Sequence, residues 1–164
     1  MEPELRLRPP RNRVDPRAVR WWTTQALAHV VPLLAAIVVG YVLLADARDW
    51  LRFVFAIVAI GGVVYVIVMP RWRYHVHRWE TTPEAVYAAS GWVLQEWRVA
   101  PLSRVQTIDT QRGPLQQLFG LASVTVTTAS SKGEIKIDGL DRTLAVEVVH
   151  RLTETTQAIP GDAT

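Results

Sequence analysis

The sequence predicts an α+β membrane protein: an N-terminal transmembrane helical hairpin, then a split β-barrel of six or seven antiparallel strands capped by a C-terminal helix. Three observations predict this class. Two long apolar runs lie near the start, short segments of alternating polarity fill most of the remainder, and an amphipathic helical pattern follows them. With 164 residues, 49% hydrophobic and 20% charged, the chain is too apolar for a disordered protein.

The positive charge is confined to the start of the chain. The formal net charge is +3, and residues 1–22 alone contain six arginines against three acids. From Pro70 onward the chain has ten basic and ten acidic side chains, so their formal charges cancel. A nucleic-acid-binding domain carries its basic surface on the folded body, so this neutral body argues against a nucleic-acid partner. The absence of cysteine excludes disulfides, a cysteine nucleophile and thiolate-held metals.

Two uncharged runs predict the transmembrane hairpin. Residues 21–45 carry no formal charge, and Phe53 to Met69 form a second run of 17 residues. A helix needs about 20 apolar residues to cross the hydrocarbon core. The second run reaches this length with Trp50 and Leu51, because Arg52 can extend its charged head back to the headgroups. Roughly 95 residues follow the two runs, too few to bury both as core helices.

The flanks of the runs predict their orientation. The connection, residues 46–49, is short, so the helices form a tight antiparallel pair. More arginines lie before the first run and after the second than in the turn, which places both termini in the cytoplasm, at the plasma membrane. Tryptophans expected at the headgroup level are Trp21, Trp22, Trp50 and Trp72.

Two features inside the runs have functional alternatives. His29, followed by Pro32, could relay protons, since ionisable groups in membranes are functional candidates. The better interpretation is a neutral imidazole near the interface that reaches water or a carbonyl. Gly40 and the pair Gly61–Gly62 favour close approach of the two helices, or contact with another protein.

Alternating segments predict the strands of the barrel. Trp72 to His77 alternates and indicates a first strand. The later segments predict strands at 85–90, 92–99, 104–112, 124–128 and 135–137, with turns at Ser90–Gly91 and 130–133. The apolar spacing in 104–112 breaks the period of two, which favours a bulge or a segment that is not a strand.

Two helical segments complete the barrel. Residues 113–120 predict a short helical turn or a bent connection. Its Leu115, Leu118 and Phe119 are expected to plug the barrel, and the alternative is an exposed interaction loop from Gln111 to Leu121. Asp141 is expected to cap a helix that reaches about Gln157 with one apolar stripe. The predicted divisions are an arginine-rich cytoplasmic segment at 1–20, the transmembrane hairpin at 21–70, the barrel at 71–158 and a disordered tail at 159–164.

An ordered series of short motifs resembles one protein family. The motifs are Pro101 to Gln106, Gln111 to Leu115, Leu118 to Leu121 and Thr127 to Ala129. They resemble the second class of bacterial pleckstrin-homology-like (PH-like) domains, and with the hairpin the chain resembles the YdbS-like two-span membrane proteins of unknown function. The resemblance implies a PH-like split barrel held at the membrane and frequent company with larger paralogues. It implies no established catalytic residue and no agreed ligand.

The candidate sites are few. His75 and His77 would share a face of the predicted strand, but zinc needs a third ligand that the sequence does not identify. The turn at 80–84 is acidic, which is the wrong charge for an inositol phosphate. No G-x-G-x-x-G, phosphate-loop, H-E-x-x-H or G-x-S-x-G motif occurs, so we predict no enzyme, no cofactor and no metal site.

The residues predicted to contact anionic lipid headgroups are Arg17, Arg20, Arg71, Arg73 and Arg78.

These observations lead to one favoured function and two alternatives. We expect a membrane-anchored interaction or scaffold module whose barrel surface or open sheet edge binds a partner membrane protein, a paralogue or a second copy. The alternatives are a domain that senses anionic lipid and an accessory subunit of a transport or export system. Membrane lipids are expected partners in each case.

Overall fold

Two long helices, two small antiparallel sheets and a C-terminal helix follow one another in the computed structural model. It describes residues 10–129 and 133–158, so the tail predicted to be disordered, 159–164, lies outside the described residues. The helices and strands are β1 (Asn12–Arg13), α1 (Arg17–Leu43), α2 (Arg48–Val76), β2 (Arg78–Thr81), β3 (Ala85–Gly91), β4 (Gln95–Pro101), β5 (Val105–Gln111), α3 (Pro114–Leu118), β6 (Leu121–Thr128), β7 (Glu134–Asp141) and α4 (Arg142–Ala158).

Helices α1 and α2 form the expected hairpin, joined by the single turn Ala45–Ala47. Both are long and apolar enough to cross a membrane. Their large apolar side chains are mostly exposed, which water would penalise and lipid tails would not. The helices approach closely at Gly62, where an added Cβ would lie 2.6 Å from Val30 Cγ1. Gly61 has no such neighbour among the described residues.

The strand predicted from Trp72 to His77 is wrong, because α2 continues through Pro70 to Val76. The alternation of polar and apolar residues is real, but helical packing overrides it. Arg73 and His77, four residues apart, both contact the ring of Trp22 on α1. After the hairpin, the first strand therefore begins only at Arg78.

The first sheet has the order β1-β2-β3-β4. Strand β1 comes from the arginine-rich segment before the hairpin and pairs with β2 through Asn12↔Trp79. The β3–β4 hairpin was predicted, but its turn is displaced, since β3 runs through Gly91 and β4 begins at Gln95. Residues 92–94 thus form the loop.

The second sheet has the order β5-β6-β7. The irregular spacing of β5 does mark a bulge, because the register with β6 shifts between Val105 and Thr107. Strands β6 and β7 form the predicted hairpin, with Val126 opposite Ile135. Part of its turn, 130–132, lies outside the described residues.

Helix α4 covers one end of the barrel, as predicted. The Asp141 carboxylate accepts hydrogen bonds from the backbone N–H groups of Thr143 and Leu144, at 2.8 and 3.3 Å, and so caps the helix. Its buried stripe consists of Ala145, Val148 and Leu152.

Helix α3 contributes less to the core than predicted. Leu115 and Phe119 are half-buried and pack against the core. Leu118 does not plug the barrel, because it is 74% exposed. The short helix presents only one of its faces to the barrel.

The hairpin and the barrel share one hydrophobic core. Helix α1 contributes Ala18, Trp22 and neighbouring residues, and α2 contributes Met69. These side chains pack in the same cluster as barrel residues such as Val124 and Leu140. The barrel is therefore fixed against the ends of the two helices rather than tethered by a flexible linker.

Candidate membrane-surface site

Trp22 lies at the centre of the junction between the helices and the barrel. Its side chain is fully buried, at 0% exposure. The Arg73 guanidinium carbon lies 4.6 Å from the centre of the Trp22 ring system, and the His77 ring centre lies 4.9 Å away. This arrangement is a cation–π contact flanked by an imidazole. The sequence predicted Trp21 and Trp22 as interfacial residues, and the structure places both in the core instead.

His77 is a buried, neutral group. Its Nδ1 lies 2.9 Å from the carbonyl oxygen of Arg73. Burial, with a smaller contribution from the positive charge of Arg73, lowers the pKa of His77 to about 4. The imidazole is therefore uncharged at neutral pH.

The structure does not bring His75 and His77 together as metal ligands. His75 is exposed on α2 and its Nδ1 lies 2.8 Å from the carbonyl oxygen of Arg71. His77 is buried just beyond the end of the helix. Within residues 10–129 and 133–158, no group of three His, Cys, Asp or Glu side chains is placed to hold a metal ion.

A polar pocket of about 270 Å³ opens beside the end of α2. Strands β3, β4 and β7 form its walls, and both acidic and basic side chains line it. Arg98 pairs with Glu96 at 2.7 Å, and the Lys136 ammonium lies 3.5 Å from Asp138. The half-buried guanidinium of Arg73 makes no hydrogen bond or ion pair with any described residue.

The pocket therefore offers the guanidinium of Arg73 to an acidic group, in the field of the nearby Asp138 carboxylate. The cations of β4 and β7 already have carboxylate partners, whereas Arg73 retains donors for a ligand. A guanidinium binds phosphate or carboxylate through charge-assisted hydrogen bonds. Arg73 could be identified in the sequence from its position after the second span, but the pocket could not, because strands distant in sequence form its walls.

Arg17 joins two parts of the protein. Its guanidinium donates to Asp15, with Nε 2.9 Å from Oδ1, and also to Asp141 at the start of α4. The hydrogen bonds from Arg17 hold the pKa of both carboxyl groups below their usual range. Arg17 thus connects the first turn of α1 to the cap of α4, and its contact with a headgroup stays a prediction.

The other predicted headgroup residues occupy different environments. Arg20 is exposed on α1. Arg71 is exposed on α2 and donates to the carbonyl of Ile67 at 2.8 Å. Arg78 is half-buried in β2, opposite Ala89. Headgroup contact by these three side chains stays a prediction.

Within the spans, the polar residues have local partners. The Nδ1 atom of His29 lies 2.6 Å from the carbonyl oxygen of Gln25, one turn earlier in α1. This is the carbonyl contact that the sequence favoured over a proton relay. At the loop end, the Tyr41 hydroxyl accepts a hydrogen bond from Arg52 at 3.0 Å, and the Arg48 guanidinium carbon lies 5.8 Å from the Tyr41 ring centre.

Comparisons with known proteins agree with this architecture. The family model described as Bacterial PH domain matches residues 23–156, which include most of α1, all of α2 and the barrel strands from β2 onward. The chain is also similar to the UPF0699 transmembrane protein YdbS of Bacillus subtilis (strain 168). The two are 26% identical over 126 residues, which cover 74% of this chain and 79% of that protein. No solved structure matches the chain significantly. This two-span transmembrane chain belongs to the bacterial PH domain family.

Proposed function

We propose that this protein is a membrane-anchored interaction module whose barrel binds a second membrane protein, either a copy of this chain or a PH-like paralogue. The observation that carries the proposal is the outer edge of β5, an edge strand on which α4 also packs. The strand pairs with β6 on one side, and no other described strand pairs with it. We assign the module no catalysis.

The edge of β5 suits the addition of a strand. Gln106, Thr107, Asp109, Thr110 and Gln111 are all exposed. A bulge protects its beginning and Asp109 places one charge on it, but the strand contains neither proline nor lysine, which discourage edge pairing most strongly. An extended segment of a partner could form backbone hydrogen bonds along this edge.

The shared core supports the same proposal. Because Trp22 and Met69 pack with the barrel residues, the edge of β5 has a fixed position relative to the membrane. A partner held in the same bilayer would meet this edge in one orientation, which lowers the entropic cost of association. The arginine distribution favours the cytoplasmic side of the plasma membrane for this encounter.

Recognition of anionic lipid is a second candidate function, favoured by Arg73. Its guanidinium lines the polar pocket and has no acceptor among the described residues. Arg73 lies three residues after Pro70, close to the end of the second apolar run. A basic side chain near an anionic surface gains about 1 kcal/mol from the lipid charge.

Site-specific crosslinking in native membranes tests the proposed function. We place a photo-crosslinking amino acid at the position of Gln106 on β5 and, as the matched control, at exposed Thr153 on α4. We expect one discrete adduct from the β5 position and none from the α4 position. Native mass spectrometry of the detergent-extracted protein should give the matching complex mass.

Two outcomes would contradict strand addition at β5. Equal adducts from both positions would indicate contact without a preferred surface. A monomer that forms no adduct but retains a phospholipid would instead support the second candidate function.

A further inference from the structure

The loop between β3 and β4 is apolar and exposed. It consists of Trp92, Val93 and Leu94, and we call these three residues the hairpin tip. Val93 is 75% exposed and Leu94 is 80% exposed. Surface turns are commonly built from Gly, Pro, Asn, Asp and Ser. Three large apolar side chains at a turn therefore indicate an apolar environment around it.

The hairpin tip lies beside the second transmembrane helix. The Trp92 ring packs edge-on against the ring of Tyr65, with their centres 5.8 Å apart and their planes at 69°. Tyr65 belongs to the apolar run of α2, six residues before Arg71. At about 1.5 Å per residue, this places the contact about 9 Å from Arg71 along the helix axis, toward the middle of the span.

Backbone geometry fixes where the tip lies. Gly91 has a φ of +107°, and a Cβ at this position would lie only 1.8 Å from the carbonyl oxygen of Leu94. Glycine is thus required for this tight turn. The seven-residue ladder between β3 and β4 then holds the tip at the end of a paired hairpin.

The polarity of the surface next to the tip changes as it does across a membrane interface. Trp72 of α2 and Trp97 of β4 border one groove together with His75 and Arg78. Both tryptophans are exposed. Amphipathic rings and basic side chains suit the headgroup layer, whereas valine and leucine suit the acyl chains below it.

We propose that the hairpin tip inserts into the acyl-chain boundary of the same bilayer that α1 and α2 cross, as a third membrane contact of this protein. The occupant around Val93 and Leu94 is lipid, since the tip lies against the lipid-exposed part of α2. This contact stabilises the orientation of the barrel relative to the membrane. Insertion of the tip does not depend on whether a partner binds at β5.

Fluorescence quenching in the full chain tests this insertion. The chain has no cysteine, so Leu94→Cys and the control Thr153→Cys on α4 each give one attachment point for an environment-sensitive fluorophore. Both positions are exposed surface sites, which preserves the core. The labelled proteins are reconstituted in vesicles of phosphatidylethanolamine and phosphatidylglycerol.

We expect the label at position 94 to emit at shorter wavelength than the label at position 153. Iodide in the water should quench it several-fold less, and a nitroxide attached near the glycerol end of the acyl chains should quench it strongly. Equal quenching by iodide at both positions would overturn the proposal. Protection from iodide that disappears on dilution to one protein per vesicle would also overturn it, since a second copy would then cover the tip.

Discussion

Replacement of Trp22 by alanine is expected to lower the free energy of unfolding by about 3–5 kcal/mol, the usual cost of removing a large buried aromatic side chain. Trp22 is fully buried in the core shared by the helices and the barrel. The substitution also removes the ring that contacts Arg73 and His77. Thermal unfolding of the full chain in detergent measures the loss.

Trp72→Ala is the matched control for this experiment. Trp72 lies on α2 near the same end of the hairpin but is 51% exposed. Its removal leaves no cavity in the shared core, so the change should be well below that of Trp22→Ala. Equal losses of stability in the two variants would contradict the assignment of Trp22 as the centre of the junction.

Gly139→Ala is expected to destabilise the protein because two effects combine at this residue. Gly139 has a φ of +78°, which costs a residue with a side chain about 1–2 kcal/mol. An added Cβ would also lie 2.9 Å from the Cβ of Ala18 on α1. Overpacking of this kind costs about 1–3 kcal/mol more. Denaturant unfolding of the solubilised chain should therefore report about 2–5 kcal/mol in total.

Gly133→Ala separates the two effects. Gly133 has nearly the same φ, +76°, but a Cβ there would meet no described atom within 4 Å. The free energy of unfolding of Gly133→Ala should fall only by the cost of placing a side chain at positive φ. Addition of Ala18→Gly to Gly139→Ala should recover part of the packing cost, since the two sites touch. Equal losses of unfolding free energy in Gly139→Ala and Gly133→Ala would contradict the close approach of α1 to the barrel at Gly139.

The sequence predicted the hairpin and most strands because their signals are local. Apolar length defines a span, and alternation with turn residues defines pairs such as β6 and β7. The strand predicted at 72–77 is wrong because the alternating residues belong to a helix. Trp22, from another part of the chain, stabilises the end of that helix. Strand β1 was missed because two residues carry no periodicity and their partner, β2, lies beyond the hairpin.

The candidate site was only partly predictable for the same physical reason. Arg73 could be identified from its position after an apolar run, which is a property of one segment. Its pocket could not, since β4 and β7 meet only in the folded barrel. Similarly, exposure of Val93 and Leu94 depends on the displaced β3–β4 turn, and their place beside Tyr65 depends on how the barrel docks on α2.

Cysteine accessibility in sealed, right-side-out membranes tests the central claim most directly, namely that two lipid-embedded helices hold a folded barrel at the cytoplasmic face. Ala45→Cys lies in the turn between the helices, and Thr153→Cys lies on α4. A membrane-impermeant maleimide should label position 45 in intact membranes and position 153 only after permeabilisation. Labelling of position 153 in intact membranes, with position 45 protected, would contradict the claim.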